Sequence, residues 1–138
     1  MLEELLIEQV TAAVTWRLRQ VVLYPAGTLA DVMIDGDFEA THFGAYHDNN
    51  LVGVISLFAA GDSLQFRKFA VRADYQGKGV GTALLRRVFA YAKEWEITLI
   101  WCHARLSAIS YYERVGMHQE GIPFERNGVG YVRMTLAI

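Results

Sequence analysis

The sequence predicts an α/β domain built on a central mixed, mostly antiparallel twisted sheet flanked by helices. Three observations carry this reading. Short apolar segments joined by tight turns fill the stretch from Thr41 to Val71, as in an antiparallel meander. A long amphipathic segment follows from Gly79 to Trp95. A brief, continuously apolar run from Ile97 to Cys102 then reads as a strand covered on both faces. The length of 138 residues suits one domain, spanning 1–138.

The elements read in order as follows. Thr11 to Leu23 places Val14, Leu18, Val21 and Val22 at helical spacing, with Arg17, Arg19 and Gln20 between them. Thr11 is a candidate cap, and Pro25 follows the end. Pro25 to Asp37 carries Gly27, Asp31, Asp35 and Gly36 and reads as loop with one turn of helix. Strands are predicted at Thr41–Tyr46, Leu51–Leu57 and Leu64–Val71, with turns at Asp48-Asn49-Asn50 and Gly61-Asp62. The long helix carries Leu84, Leu85, Val88, Ala92 and Trp95 on one stripe. A second helix is predicted at Ser107–Val115, stopped by Gly116. The tail holds a strand at Tyr131–Ala137.

Composition narrows the function classes. Hydrophobic residues make up 53% of the chain and charged residues 20%, the balance of a protein with a packed core. The net charge of -2 provides no global basic field, so no nucleic-acid partner is expected. The single cysteine, Cys102, rules out an intramolecular disulfide and fits a reducing compartment. The start, Met1-Leu2-Glu3-Glu4, lacks the basic and apolar regions of a signal peptide. No run approaches the roughly 18 apolar residues needed to span a bilayer. A soluble, cytoplasmic protein with no membrane partner is expected.

The most informative segment is Gln76-Gly77-Lys78-Gly79-Val80-Gly81, between the third strand and the long helix. Glycines let backbone N–H groups approach a ligand with no Cβ in the way. The first N–H groups of a helix lack intrahelical partners and sit at the positive end of its dipole. Together these features make an anion site, alongside the plainer reading of a flexible turn. The P-loop pattern is absent, and the dinucleotide fingerprint fails because position 82 is Thr82. Just upstream, Leu64 and Phe66 share one parity while Phe69 and Val71 take the other. An extra residue near Arg67-Lys68, a β-bulge, explains the slip, as does a strand buried on both faces.

Other chemistries find no support. There is no Gly-x-Ser-x-Gly elbow. Cys102 and His103 are adjacent in a strand and point to opposite faces, so they form no dyad. No cysteine cluster or His-x-x-x-His spacing suggests a metal.

Arg67-Lys68-Phe69-Ala70-Val71, followed by Asp74 to Gly81 and Leu84-Leu85, resembles the GNAT superfamily of N-acetyltransferases. The resemblance resumes at Ala108-Ile109-Ser110-Tyr111-Tyr112-Glu113-Arg114-Val115-Gly116-Met117. It covers about half the chain strongly. It implies a fold whose fourth and fifth strands splay apart, with the pantetheine arm of acetyl-CoA in the wedge. It implies that backbone groups of Phe69, Ala70 and Val71 hold the pantetheine and the thioester carbonyl. It implies too that Gln76 shapes the loop, while the amides of Gly77, Lys78, Gly79, Val80 and Gly81, with Thr82, hold the pyrophosphate. Tyr112 matches the family tyrosine that serves as general acid for the departing thiolate. Lys68, Arg72 and Lys78 read as a patch for cofactor phosphate. Arg105 stands where the family often has Asn, and Met117 where it usually has Phe.

The activity implied is transfer of an acetyl group from acetyl-CoA, as co-substrate, to a primary amine of a small molecule or peptide. The alternative is a non-catalytic acyl-CoA-binding or partner-interaction module on the same fold. No metal is expected, and a monomer or homodimer fits equally. The acceptor should be gripped by the first helix, the loop after it and the last strands. His42, His47, His103, Asp31, Asp37 and Glu39 are candidate bases by residue type alone.

Overall fold

The computed structural model describes residues 2–138; Met1, the first residue of the expected domain, lies outside the described residues. Seven strands form one sheet in the order β1-β2-β3-β4-β5-β7-β6. They are β1 (Leu6–Val10), β2 (Thr41–His47), β3 (Asn50–Ala60), β4 (Ser63–Val71), β5 (Leu99–Arg105), β6 (His118–Arg126) and β7 (Val129–Ala137). The helices are α1 (Ala12–Leu23), the single turn α2 (Leu29–Val32), α3 (Val80–Glu94) and α4 (Ile109–Arg114). Every strand pair is antiparallel except β4–β5, which is parallel. No helix among the described residues is long and apolar enough to cross a membrane.

Strands β2 to β4 and both long helices fall where periodicity puts them. Two edge strands do not announce themselves. In β1, Leu6 is 58% exposed while Ile7 packs on the core, so the strand shows no clear alternation. It is held by pairing of Leu6–Val10 with β2 from Tyr46 to His42. In β6, all residues but Phe124 are exposed, and pairing with β7 breaks between Glu120 and Phe124. Hydrogen bonds to a neighbour, rather than a buried stripe, specify both strands.

Helix α3 covers one face of the sheet. Its Val80, Leu84, Leu85, Val88 and Ala92 are buried against Phe43, Ile55, Leu57 and Leu64. The expected last member of that stripe, Trp95, is instead 66% exposed. The helix ends at Glu94, and Trp95 leaves helical geometry at φ -101 and ψ 15, which turns its side chain off the stripe. The helix start packs tightly because β3 has Gly53 beneath it. A Cβ there would lie 2.9 Å from Val80 and 3.0 Å from Leu84.

Helix α1 covers the opposite face, seating Leu18 on Val54 and Ala70. Arg19, which falls among the polar positions of the sequence pattern, is fully buried. Burying a guanidinium demands partners, and among the described residues all of its N–H groups but Nε find one. Its Nη1 donates to the Val32 carbonyl and to Asp37 Oδ2, both at 2.8 Å. Its Nη2 donates to Asp37 Oδ1 at 2.9 Å and to Ser56 Oγ at 2.8 Å. Asp37 also accepts from Trp16 Nε1 and from the Ile34 N–H, each at 3.1 Å. His42 completes the network, with Nε2 at 2.7 Å from the Asp37 carbonyl and Nδ1 at 2.7 Å from Ser56 Oγ. A carbonyl only accepts, so Nε2 carries the proton and Nδ1 accepts from the serine. Through these bonds α1, the 33–40 loop, β2 and β3 become one unit.

Burial alone would raise the Asp37 pKa, but the hydrogen bonds from Arg19, Ile34 and Trp16 outweigh it and hold the carboxyl below 3.8. A depressed carboxyl stabilises the fold above its unfolded value, and that contribution drains away as pH falls through the folded one. Unfolding free energy should therefore drop on acidification below about pH 4. In urea titrations, Asp37→Ala should lose about 3–5 kcal/mol, because it strands a buried cation. The same substitution should flatten the acid dependence.

Candidate active site

The site follows from how briefly β4 and β5 pair. Only Ser63–Gln65 of β4 align with Leu99–Trp101 of β5. Beyond Gln65 the two strands diverge, while β5 stays paired to β7 as far as Arg105. The chain thus leaves a wedge in the middle of its sheet, the splay expected between the fourth and fifth strands.

A bulge sits on the β4 side of the wedge. Ser56 pairs with Arg67 and Val54 with Ala70, so Lys68 and Phe69 together face Ile55. Lys68 has φ 52, a left-handed conformation that a lysine adopts only under constraint. This is the extra residue that the parity slip points to, and it splits the side chains. Phe69 and Val71 turn toward the α3 core, while Ala70 turns toward Leu18 under α1. The extra residue of a bulge is left outside the strand ladder, so backbone polar groups are available here to a ligand.

A cleft of about 750 Å³ fills the wedge, lined by Phe66, Phe69, Cys102, His103, Ala108 and Tyr112 among others. Tyr112 stands on α4, with its ring tilted against Phe66 at 5.8 Å. Its carbonyl accepts from the N–H groups of Val115 and Met117, which ties the α4 end to β6. Burial, with lesser contributions from Cys102 and Tyr111, pushes the Tyr112 phenol well above its ordinary value. The residue lines the cleft, and no hydrogen bond among the described residues engages its hydroxyl. Cys102 reports on the same environment, with burial pushing its thiol up to about 12. A thiolate placed in this cleft is strongly disfavoured unless it gains a proton or a donor.

The glycine-rich loop lies at the open end of β4. Arg72 to Tyr75 form a short turn, with Arg72 paired to Asp74 through Nη2 at 2.6 Å. Gln76 Nε2 donates back to the Val71 carbonyl at 3.0 Å, fastening the loop to the end of its strand. Gly79 caps α3 in a left-handed conformation, φ 89 and ψ 2. The first helical bond runs from the Ala83 N–H to the Gly79 carbonyl at 3.0 Å. The N–H groups of Val80, Gly81 and Thr82 are therefore the unpartnered donors of the helix start. Val80 as a whole residue is buried.

The expected site residues thus fall into two groups. Phe69 and Tyr112 line the wedge and Gln76 to Thr82 surround the α3 start, while the side chains of Ala70 and Val71 pack into the two core clusters and do not line the wedge. A second cleft adjoins that start, lined by Thr82, Arg86, Phe89, Tyr111 and Arg114. Thr82 Oγ1 lies 3.3 Å from the Tyr111 hydroxyl across it. Arg86 and Arg114 carry no motif signature, and only their placement on facing helices reveals them. The expected phosphate patch is smaller than the sequence suggests. Arg72 is neutralised by Asp74, and the Lys68 ammonium bonds the Tyr24 hydroxyl. Lys78 stays exposed, with its ammonium 5.4 Å from the Tyr75 ring centre.

The candidate bases separate equally clearly. His42 and Asp37 are locked in the network beneath α1. Asp31 caps α2 through the Thr28 N–H at 2.6 Å. His47 bonds the Tyr75 hydroxyl at 2.9 Å, and Glu39 is exposed on the 33–40 loop. Only His103 lines the wedge. Its ring lies edge-on to Trp101 and Phe124, with centroids 5.2 and 4.9 Å away. Burial, then the positive charges of Arg126, Arg133 and Arg67, lower its pKa below 6.5. These causes favour its neutral imidazole, which can accept a proton.

The sequence model of the Acetyltransferase (GNAT) family matches residues 10–117. The chain belongs to this family. Its relatives include the N-acetyltransferase YitI of Bacillus subtilis (strain 168), 22% identical over 133 residues that cover 90% of this chain and 89% of the relative. A crystal structure from Lactobacillus plantarum shares the fold at a TM-score of 0.86 and 24% identity, covering 98% of this chain and 99% of the other. A GNAT family acetyltransferase from Elizabethkingia anophelis with acetyl-CoA bound superposes at a TM-score of 0.78 and 17% identity. That match covers 99% of this chain and 100% of the other.

Gly79→Ala should lower stability by about 1–2 kcal/mol in thermal unfolding, because the cap must hold a left-handed φ that a Cβ opposes. A loss below about 0.3 kcal/mol would mean that the cap relaxes without penalty.

Proposed function

We propose that the chain transfers an acetyl group from acetyl-CoA to a primary amine by direct attack. The observation that carries this is the open wedge between β4 and β5, with Tyr112 in its lining. Family membership and the acetyl-CoA-bound relative with the same fold support the choice of co-substrate. The thioester would lie in the wedge beside the Phe69–Val71 backbone. The pyrophosphate would lie on the amides of Gly77, Lys78, Gly79, Val80 and Gly81, with Thr82. Arg86 and Arg114, in the adjoining cleft, would meet the remaining phosphate of the nucleotide.

The chemistry divides among few groups. The neutral amine adds to the thioester carbonyl, and the developing oxyanion takes a hydrogen bond from the bulged backbone. Collapse expels the CoA thiolate into surroundings that already disfavour the Cys102 thiolate. Tyr112, kept protonated by its raised pKa, donates to the departing sulfur. His103, kept neutral by burial and by its arginine neighbours, takes the proton lost by the nitrogen. These assignments place acid and base on opposite sides of the sheet, so they act across the wedge without neutralising each other.

Release of CoA thiol should rise when one of a panel of primary amines is added. The reading fails if acetyl-CoA binds and no amine stimulates release. Tyr112→Phe should lower kcat by about 10²- to 10⁴-fold while the affinity for acetyl-CoA changes little. Unchanged turnover in that variant would remove the tyrosine from its role. Binding with no wild-type turnover at all would favour the non-catalytic module, a reading that the exposed Arg105 at the usual Asn position favours. In pH–rate profiles of kcat/KM, activity should fall on the acid side, as His103 gains its proton below the ordinary histidine range. No alkaline limb from Tyr112 should appear up to about pH 10. His103→Gln should abolish the acid limb.

A further inference from the structure

Helix α1 covers the sheet face above β2–β4 and leaves the same face of β5–β7 open. Strand register fixes which side chains stand there. His103 is opposite Arg133, and Arg105 is opposite Tyr131. Phe124 is opposite Tyr131, and Arg126 follows it on the same side. Arg67 lines the cleft from β4. Of these cations, Arg133 pairs with Glu120 at 3.2 Å. Arg67, Arg105 and Arg126 have no carboxylate partner among the described residues, and no Asp or Glu lines the cleft. The chain as a whole has 13 basic and 15 acidic residues, so this sorting is local.

The arginines are also held in place. The Arg126 guanidinium lies 5.5 Å from the Phe124 ring centre and 5.8 Å from that of Tyr131. Those two rings stack at 5.8 Å with an angle of 22°. A planar guanidinium resting on rings keeps its N–H edge free for an oxyanion. Arg67 lies 5.4 Å from the Phe58 ring centre in the same way.

We infer that the acceptor amine carries an anionic oxygen group, a carboxylate or a phosphate, which docks between Arg67 and Arg126 beside His103. The inference rests on the acetyl-transfer reading, since it assigns this face to the acceptor. The glycine-rich loop and Tyr112 lie toward α3, which leaves this side of the wedge for the second substrate.

Matched amine pairs test it: phenylalanine against phenylalaninamide for the carboxylate, and phosphoethanolamine against ethanolamine for the phosphate. Binding to the CoA-loaded protein is measured by calorimetry. Acetylation is measured at equal concentrations of neutral amine. The anionic member of at least one pair should be preferred by roughly tenfold to a hundredfold, the worth of a charge-assisted hydrogen bond. Which pair shows the preference identifies the group. Arg126→Gln and Arg67→Gln, both at exposed positions, should each erase most of it while CoA affinity stays as in the wild type. Equal or reversed preference in both pairs overturns the inference, as does a preference that survives both substitutions. It is overturned too if either substitution weakens CoA instead. A binding preference with no acetyl transfer would uphold the anion site and sink the transferase reading.

Discussion

The parallel pairing of β4 with β5 stops after three residue pairs, and the functional anatomy depends on that early stop. A sheet that stayed zipped to the end of β4 would bury its own backbone bonds and admit nothing. Two features keep it open. The bulge at Lys68-Phe69 turns β4 and breaks its regular ladder, and β7 holds β5 on its far side. Backbone polar groups exposed in the middle of a sheet are costly without a partner, so such a gap is a place for a ligand. The glycine-rich helix start lies at the same open end, where loop and wedge can serve one extended molecule.

The second constraint is the Arg19–Asp37 pair. Buried ion pairs are often no more stabilising than apolar residues of the same size. This one earns its place by geometry, because the fork of one guanidinium fixes the end of α2, the 33–40 loop and β3 at once. The loop that follows α1 therefore has a defined path despite its few apolar contacts. Tyr24, the residue that ends α1, accepts from the Lys68 ammonium at the bulge.

Much of this was legible in the residues. The parity slip from Phe66 to Phe69 located the bulge, because a period of two leaves an insertion nowhere to hide. The alternating glycines at 77, 79 and 81 located the α3 start. What stayed illegible depended on long-range partners. Arg19 looked like a surface residue because its position in a helical pattern says nothing about a carboxylate 18 residues away. Strands β1 and β6 lacked a buried stripe, and only a neighbour's hydrogen bonds make them strands. Trp95 looked like core because apolarity was visible and the end of helical phase was not. His103 could be separated from five other candidate bases only by knowing which side chains face the wedge. Arg86 and Arg114 likewise needed two helices to be brought side by side.

The bulge has one more consequence. It works as a frame shift written into a strand. Removing a single residue between Arg67 and Phe69 would leave composition and hydropathy almost untouched. It would also leave the faces as they are, with Phe69 toward α3 and Ala70 beneath α1, and would remove only the left-handed Lys68 and the break it makes in the ladder. The packing on either face does not require the extra residue of β4, so what it provides is the opening at the wedge.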